Sequence, residues 1–285
     1  MYPLGTSQPY LTRLYQVNEI VSEVAMQTEF DKYMSGDTTR EAYGSKDTVS
    51  VILPVYNAEL TIKSMIGYIR NSWKGSWGAL EIIVVDNGSK DRTSELAYNE
   101  ADLAITQKRR TGVGVCLRDA MAKARGDFRL VIEPRRIEEI CRAPFYLEYL
   151  KDGFDLVLGN RFASLKQNGF KGSVVAQAVK RFADERVAPG IKDVRSGFTG
   201  YSRRSGRFLF SSSISKGINT NAEIIGLAKI NKMRIKEVPL VDPDSQPVSE
   251  TIKLTTAAFL IAESIKTKTR LDKEIERSVS LSKKS

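Results

Sequence analysis

The chain has 285 residues, 41% hydrophobic and 27% charged, which is the composition of an ordinary folded protein with one large core or two small ones. Its 44 Lys and Arg against 34 Asp and Glu give a net charge of +10, a balance that favours anionic partners such as phosphates, nucleic acid or acidic lipid head groups. Histidine is absent, which excludes a His-assisted triad and His-ligated zinc and leaves acid–base work to carboxylates, Lys, Tyr or a thiol.

Residues 7–34 carry Leu11, Leu14, Val17, Ile20, Val21 and Val24 at helical spacing, and Gly36 with the polar run DTTREAYGSKD then breaks it. Residues 1–47 are therefore predicted to be a helical extension and linker. The β-branched run TVSVILPVYNA (48–58) predicts a strand ending at Pro54, followed by a helix from about Leu60 to Trp73. Next, ALEIIVVDNGSKDRTSELA (79–97) reads as strand, acidic Gly turn and helix, with Asp91 or Thr93 placed as a cap. Two strands joined through a helix make a βαβ unit.

The alternation continues. ADLAIT is a short strand, GVGVCLRDAMAKARG a helix and FRLVI a strand; a helix near 137–151 and the strand FDLVLGN (154–160) follow. Strands alternating with helices over roughly 110 residues predict an α/β fold, a mostly parallel sheet with helices on both faces. Residues 172–187 read as a basic helix, DVRSGFTGYSRR (193–204) as a loop over a site, NAEIIGLAKINK as a helix and MRIKEVPLV as a strand. The core domain is thus 48–250, and 251–285 is an amphipathic helix with a basic tail. The apolar stretch 254–265 falls short of the roughly 20 residues that span a bilayer. Cys116 and Cys141 form no Cys-x-x-Cys pair, and with no charged-then-apolar leader the expected address is cytoplasmic.

In an open α/β sheet the carboxyl ends of the strands line the ligand crevice. Asp86 ends one strand, before Asn87, Gly88 and a helix start, where an acid can accept from a ribose hydroxyl or a base amide and the helix N-terminus favours phosphate. A plain strand–turn–helix connection, capped by Asp86 and Asp91, accounts for the same residues. RLVIEPRR (129–136) ends another strand in an acid, a ring and two guanidinium groups.

PVYNA, VVDNGSKDRT, GVGVCLRDAMAKARGDF, DLVLGNRF, DVRSGFTGY and RIKEVPL fall in the order and spacing of the family 2 glycosyltransferases. Over roughly residues 48–245 the chain most resembles the dolichol-phosphate mannose synthases and their polyprenyl-phosphate relatives. The resemblance implies a GT-A (Rossmann-like) fold, a nucleotide-diphosphate sugar donor and inverting hexosyl transfer to an acceptor hydroxyl or a lipid phosphate. It places Pro54, Tyr56 and Asn57 beside the base and ribose and Asp86 on the base edge. Gly112 and Gly114 fall where the chain passes close to the nucleotide, with Arg118 one turn into the helix. Asn87 stands where the family carries a second Asp; the amide keeps the hydrogen-bonding shape and loses the charge.

Where the family has an Asp-x-Asp that holds Mg²⁺ or Mn²⁺ against the donor diphosphate, this chain has Glu133, Pro134 and Arg135. Three readings follow. Glu133 alone keeps a metal, against repulsion from Arg135; or Arg135, with Arg136, replaces the metal and clamps the diphosphate; or the site no longer turns over and the fold serves binding or scaffolding. The segment VDPDSQPVSETIK, where relatives carry an Arg and a Gly-x-Ser-Lys stretch, keeps only Ser249 and Lys253 and supports the last.

For the base, the resemblance points to Asp193 on the acceptor side and to Glu223, although each also reads as a helix cap or surface acid. Arg161, at a strand end, falls where relatives carry a basic residue, and Arg195 could meet phosphate from its loop. Phe198, Tyr201 and Cys116 read as core. The expected partners are a nucleotide-diphosphate sugar and a lipid-phosphate acceptor met by peripheral membrane contact of the basic C-terminal helix. No nucleic acid is expected, because no recognised module accompanies the charge.

Overall fold

The computed structural model describes residues 47–160, 185, 187–217, 219–240, 265–273 and 276. Among them, β1 (Thr48–Val55), β2 (Ala79–Asp86), β3 (Leu103–Thr106), β4 (Phe128–Ile132), β5 (Leu156–Asn160), β6 (Phe198–Ser202) and β7 (Ile235–Pro239) form one sheet in the order β3-β2-β1-β4-β6-β5-β7. Only β6 is antiparallel to its neighbours, β4 and β5. The chain runs outward from β1 through β2 to β3 and then returns to β4 on the other side of β1. The strand order therefore reverses at β1, where an open α/β sheet leaves its ligand crevice.

The strands read as near-continuous apolar runs because both faces are covered. Val49, Val51, Leu53 and Val55 of β1 and Ile82 and Val84 of β2 pack with α1 (Ile62–Ser72), α2 (Thr93–Glu100) and α4 (Ala143–Lys151). Ile52 of β1 and Ile83 and Val85 of β2 face α3 (Val113–Lys123), α5 (Arg203–Ser212) and α6 (Thr220–Ile230). On α1 the buried residues Ile62, Met65, Ile66 and Ile69 recur at i, i+3, i+4 and i+7, one stripe of a 3.6-residue helix. Each such side chain taken from water contributes about 1.5–3 kcal/mol.

Four expectations need correction. The segment 193–204 is not one loop: residues 193–197 are, but Phe198–Ser202 is the buried strand β6, and Arg203 begins α5. The strand is hidden in the sequence because Gly200 sits where an added Cβ would lie 3.1–3.2 Å from Tyr146, Leu130 and Leu150. The helix near 137–151 is two pieces, a 3₁₀ segment Pro134–Arg142 and α4, joined where Pro144 enters the first turn. The strand FDLVLGN begins only at Leu156. Finally, Arg92 occupies the cap position of α2, while Asp91 Oδ1 accepts from Thr93 N at 3.1 Å and Thr93 Oγ1 at 2.6 Å. The expected helix at 7–34, most of that at 172–187, Arg161, the segment 241–250 and the helix up to residue 264 lie outside the described residues.

Toward the amino ends of the strands, away from the crevice, Ser50 and Glu81 face each other across β1 and β2. Ser50 Oγ donates to Glu81 Oε2 at 2.5 Å, and Arg125 donates its N to Oε2 at 3.0 Å and its Nε to Oε1 at 2.7 Å. Burial alone would raise the Glu81 pKa, but Ser50 and the backbone and guanidinium donors of Arg125 outweigh it and hold the carboxyl below its usual value. A depressed folded-state pKa adds stability above the unfolded value near 4.5 that is lost as pH falls through the folded one. Glu81→Gln is expected to cost about 1–3 kcal/mol at neutral pH. In urea melts the gap from wild type should narrow below about pH 4.5, and a pH-independent gap would contradict this account.

Candidate active site

The ends of β1 and β2 and the start of α2 are stitched into one ledge. Asn57, at φ 48°, donates its N to Ser89 Oγ at 2.8 Å and accepts from Lys90 N on Oδ1 at 3.0 Å. Ala58 N donates to Thr93 Oγ1 at 2.7 Å, and Glu59 N to Asp91 Oδ2 at 3.2 Å. Asp86 is 1% exposed, and its Oδ1 accepts from Ser89 N at 3.0 Å and Ser89 Oγ at 2.5 Å. Its Oδ2 is buried with no hydrogen-bond donor among the described residues. A carboxylate oxygen in that state is costly, and the cost is recovered only when a donor arrives.

The segment before α3 closes on this ledge. Asn87 Oδ1 accepts from Thr111 N at 2.9 Å and Gly112 N at 3.0 Å, which is what the amide does in place of a second acid. Arg110 lies over the Tyr56 ring, 4.5 Å from its centroid, in cation–π geometry. Gly112 has φ +103°, and a Cβ there would lie 2.1 Å from Lys216 O; one on Gly114 would lie 2.2 Å from Ser215 O. The backbone that these glycines admit is thus that of residues 215 and 216, and Gly114 N donates to Lys216 O at 3.1 Å. Arg118 Nη1 braces the same segment from α3, donating to Ser213 O at 3.3 Å and Ser215 O at 2.7 Å.

β4 delivers Glu133 and Arg135, both exposed, with Pro134 half-buried between them and Arg136 buried. Glu133 N donates to Gly197 O at 2.8 Å, so the β4 end and the loop 193–197 run side by side. With β1 between them, Asp86 and Glu133 sit two strand spacings apart, about 10 Å. In the loop Asp193 is buried, and its Oδ1 accepts from Arg195 N at 3.2 Å. Arg195 Nη2 reaches Asn219 Oδ1 at 3.3 Å. Glu223, buried on α6, accepts from Ser213 Oγ at 2.5 Å and Ser215 N at 2.8 Å and is ion-paired with Arg270.

The crevice therefore gathers Pro54, Tyr56, Asn57, Asp86, Gly112 and Gly114 on one side and Glu133, Arg135 and Asp193 on the other. Arg118 and Glu223 support the 213–217 segment between them and α6. Sequence reasoning missed Ser89, Arg110, Lys216, Asn219 and Arg270. Ser89 was signalled by its place in the DNGS turn; the others had no local signal. Burial pushes the thiols of Cys116 and Cys141 up to about 11, so neither supplies a thiolate near neutral pH. No helix of the described residues is long and apolar enough to cross a membrane.

The sequence profile of glycosyl transferase family 2 matches residues 50–208. An uncharacterized protein of Methanocaldococcus jannaschii is 24% identical over 210 residues, 69% of this chain and 82% of that one. A dolichyl-phosphate beta-glucosyltransferase of Trichomonas vaginalis is 23% identical over 249 residues, 75% of this chain and 72% of its own. Among solved structures, glucosyl-3-phosphoglycerate synthase from Mycobacterium tuberculosis, in complex with Mn²⁺, uridine diphosphate and glucosyl-3-phosphoglycerate, superposes with a TM-score of 0.59. It is 22% identical, and the match covers 81% of this chain and 82% of that one. The likeness fixes the fold as GT-A.

Proposed function

This chain belongs to glycosyl transferase family 2, and on that premise we propose that it moves a hexose, with inversion, from a nucleotide-diphosphate sugar to a lipid phosphate or another acceptor. The observation that carries the proposal is the buried Oδ2 of Asp86 at the strand-order reversal, without a donor among the described residues. An imide or amide N–H on the edge of a nucleobase supplies the missing donor, and a uracil or guanine bears one. A base seated against Tyr56 displaces the Arg110 guanidinium, which then lies near the phosphates. The solved relative was obtained with uridine diphosphate, and two strand spacings, about 10 Å, are of the order that a nucleoside diphosphate spans from base to phosphates.

The donor set at the end of β4 does not suit a divalent ion held by protein. It offers one exposed carboxylate, Glu133, with a guanidinium two residues on, and among the described residues no three acidic or sulfur side chains gather. Mg²⁺ and Mn²⁺ want several oxygen ligands, and Arg135 opposes them. We therefore assign the diphosphate charge to Arg135, whose planar fork can bind two phosphate oxygens and stabilise the leaving group. The bond from the anomeric carbon to the diphosphate oxygen breaks as the acceptor oxygen bonds that carbon from the opposite face.

The resemblance puts Asp193 and Glu223 on the acceptor side, and both are buried. A phosphate acceptor arrives ionised and asks little of either, whereas a hydroxyl needs one as base. Glu223 is engaged by Ser213, Ser215 and Arg270, and the role of base for a hydroxyl is assigned to Asp193 on the family resemblance. The reading is tested by assaying transfer from labelled UDP- and GDP-hexoses to a short-chain prenyl phosphate with excess chelator. Transfer is expected to persist in chelator and to fall at least about 100-fold in Arg135→Ala, since an arginine that meets transition-state charge is worth that much or more. Nucleotide binding without transfer to any acceptor would favour the binding or scaffolding reading instead.

A further inference from the structure

A cleft of about 520 Å³ opens beside the start of α3, walled by Thr111 and Gly112, the 214–217 segment, the start of α6 and the helical residues 265–273. Among the described residues its ionic side chains are Lys216, Lys266 and Arg270 against the single acid Glu223. On the wall, Asn219 is 2% exposed; its Oδ1 is taken by Arg195, and its Nδ2 is buried with no acceptor among the described residues. A buried amide donor in that state calls for an acceptor atom in the cleft.

Arg270 stands at the centre of this arrangement. Its guanidinium pairs with Glu223 and donates to Ser212 O, and its helix is seated by Leu271, which fills the space left by Gly226. Glu223 does not depend on it alone, because Ser213 Oγ and the N–H groups of Ile214 and Ser215 also donate to that carboxylate. The guanidinium can leave and the acid stays solvated by the protein. A phosphate entering the cleft offers more charge and a bidentate partner than one carboxylate already shared with neutral donors.

We infer that Arg270 is an anion-operated latch: it rests on Glu223 and swings to a phosphate that enters beside Lys216, Lys266 and Asn219 Nδ2. The inference rests on the transferase reading and deepens it. A neutral acceptor has nothing to draw the guanidinium away, so the latch selects acceptors that carry a phosphate group, whether on a lipid or on a soluble molecule. The C-terminal helix, rather than the core domain, then holds the selective residue.

The test titrates the whole protein, in chelator, with inorganic phosphate, glycerol phosphate, a short-chain prenyl phosphate and the matching prenyl alcohol, with UDP as a separate control. Phosphate-bearing ligands are expected to bind and the alcohol not to. Arg270→Met should weaken them about tenfold, and Glu223→Gln, which removes the resting partner, should tighten them severalfold. Asn219→Asp, which sets a carboxylate against the anion and keeps the partner of Arg195, should also weaken them and guards against misfolding of Arg270→Met. Equal affinity for all three phosphates identifies the head group as the ligand, and tighter binding of the prenyl phosphate identifies a lipid acceptor. Unchanged affinity in both Arg270→Met and Asn219→Asp, or no tightening in Glu223→Gln, overturns the latch. No phosphate binding alongside intact UDP binding overturns the inference alone; failure of UDP as well brings down the transferase reading with it.

Discussion

Replacing Asp86 with Ala is expected to weaken UDP or GDP binding by about 100-fold, the largest loss of affinity from any single side chain on the ledge. Hydrogen bonds to a charged group are worth about 1.5–3 kcal/mol, and one made to a buried, otherwise donorless oxygen lies at the upper end. Asp86→Asn should lose only about tenfold, because the amide carbonyl still accepts from the base while the charge is gone. Asp86 also accepts from Ser89 N and Oγ, which in turn holds Asn57. Ala therefore loosens the ledge as well, and the two variants separate recognition from support. Equal affinity in wild type and both variants, measured by calorimetry, would remove Asp86 from the nucleotide site.

The second large effect concerns Gly112. At φ +103° an L side chain is strained, and its Cβ would lie 2.1 Å from the carbonyl oxygen of Lys216, which is backbone and cannot swing aside. Gly112→Ala is expected to cost about 2–4 kcal/mol and to expel the 215–217 segment, dismantling the cleft along with it. For a chain of this size that lowers the melting temperature by roughly 4–16 °C. Gly67→Ala is the control of opposite sign, since nothing lies within 4 Å of the added carbon on α1. That change should stabilise by about 0.5–1 kcal/mol through helix propensity alone. Similar melting temperatures for both variants would mean that the close approach at Gly112 carries no weight.

The contrast between these two positions shows what the sequence could and could not disclose. Strands buried on both faces must be apolar along their whole length, so β1, β2 and β4 announced themselves as β-branched runs, and the residues that end them were legible as crevice residues. β6 was not legible, because FTGYS owes its glycine to the rings packed over it, and an antiparallel strand inserted between β4 and β5 has no short-range signature. On the ledge, Asp86 and Asn57 could be named from their turns. The partners of Tyr56 and Glu223 could not, since Arg110 on Tyr56 and Arg270 on Glu223 are contacts between segments far apart in the chain. The basic tail is the clearest instance: its composition suggested only a basic tail, whereas the helical residues 265–273 place one arginine against a buried acid and one leucine against a glycine.

Electrostatics ties the two halves of the site together. The ledge carries the acid Asp86, and the cleft is lined by three cations and one acid among the described residues; the proposed reading gives the first to the base and the second to the acceptor. Between them stand Glu133 and Arg135 at the end of β4, the pair to which the proposed metal-free handling of the diphosphate is assigned. The central claim is that this ledge holds a nucleoside diphosphate through Asp86 without needing an ion. The most direct measurement is a calorimetric titration of the purified protein with UDP and GDP, once with Mn²⁺ and once with excess chelator. Binding of one nucleotide with the same affinity in both conditions is the expected result, and no binding in either, by a protein that melts cooperatively, would contradict it.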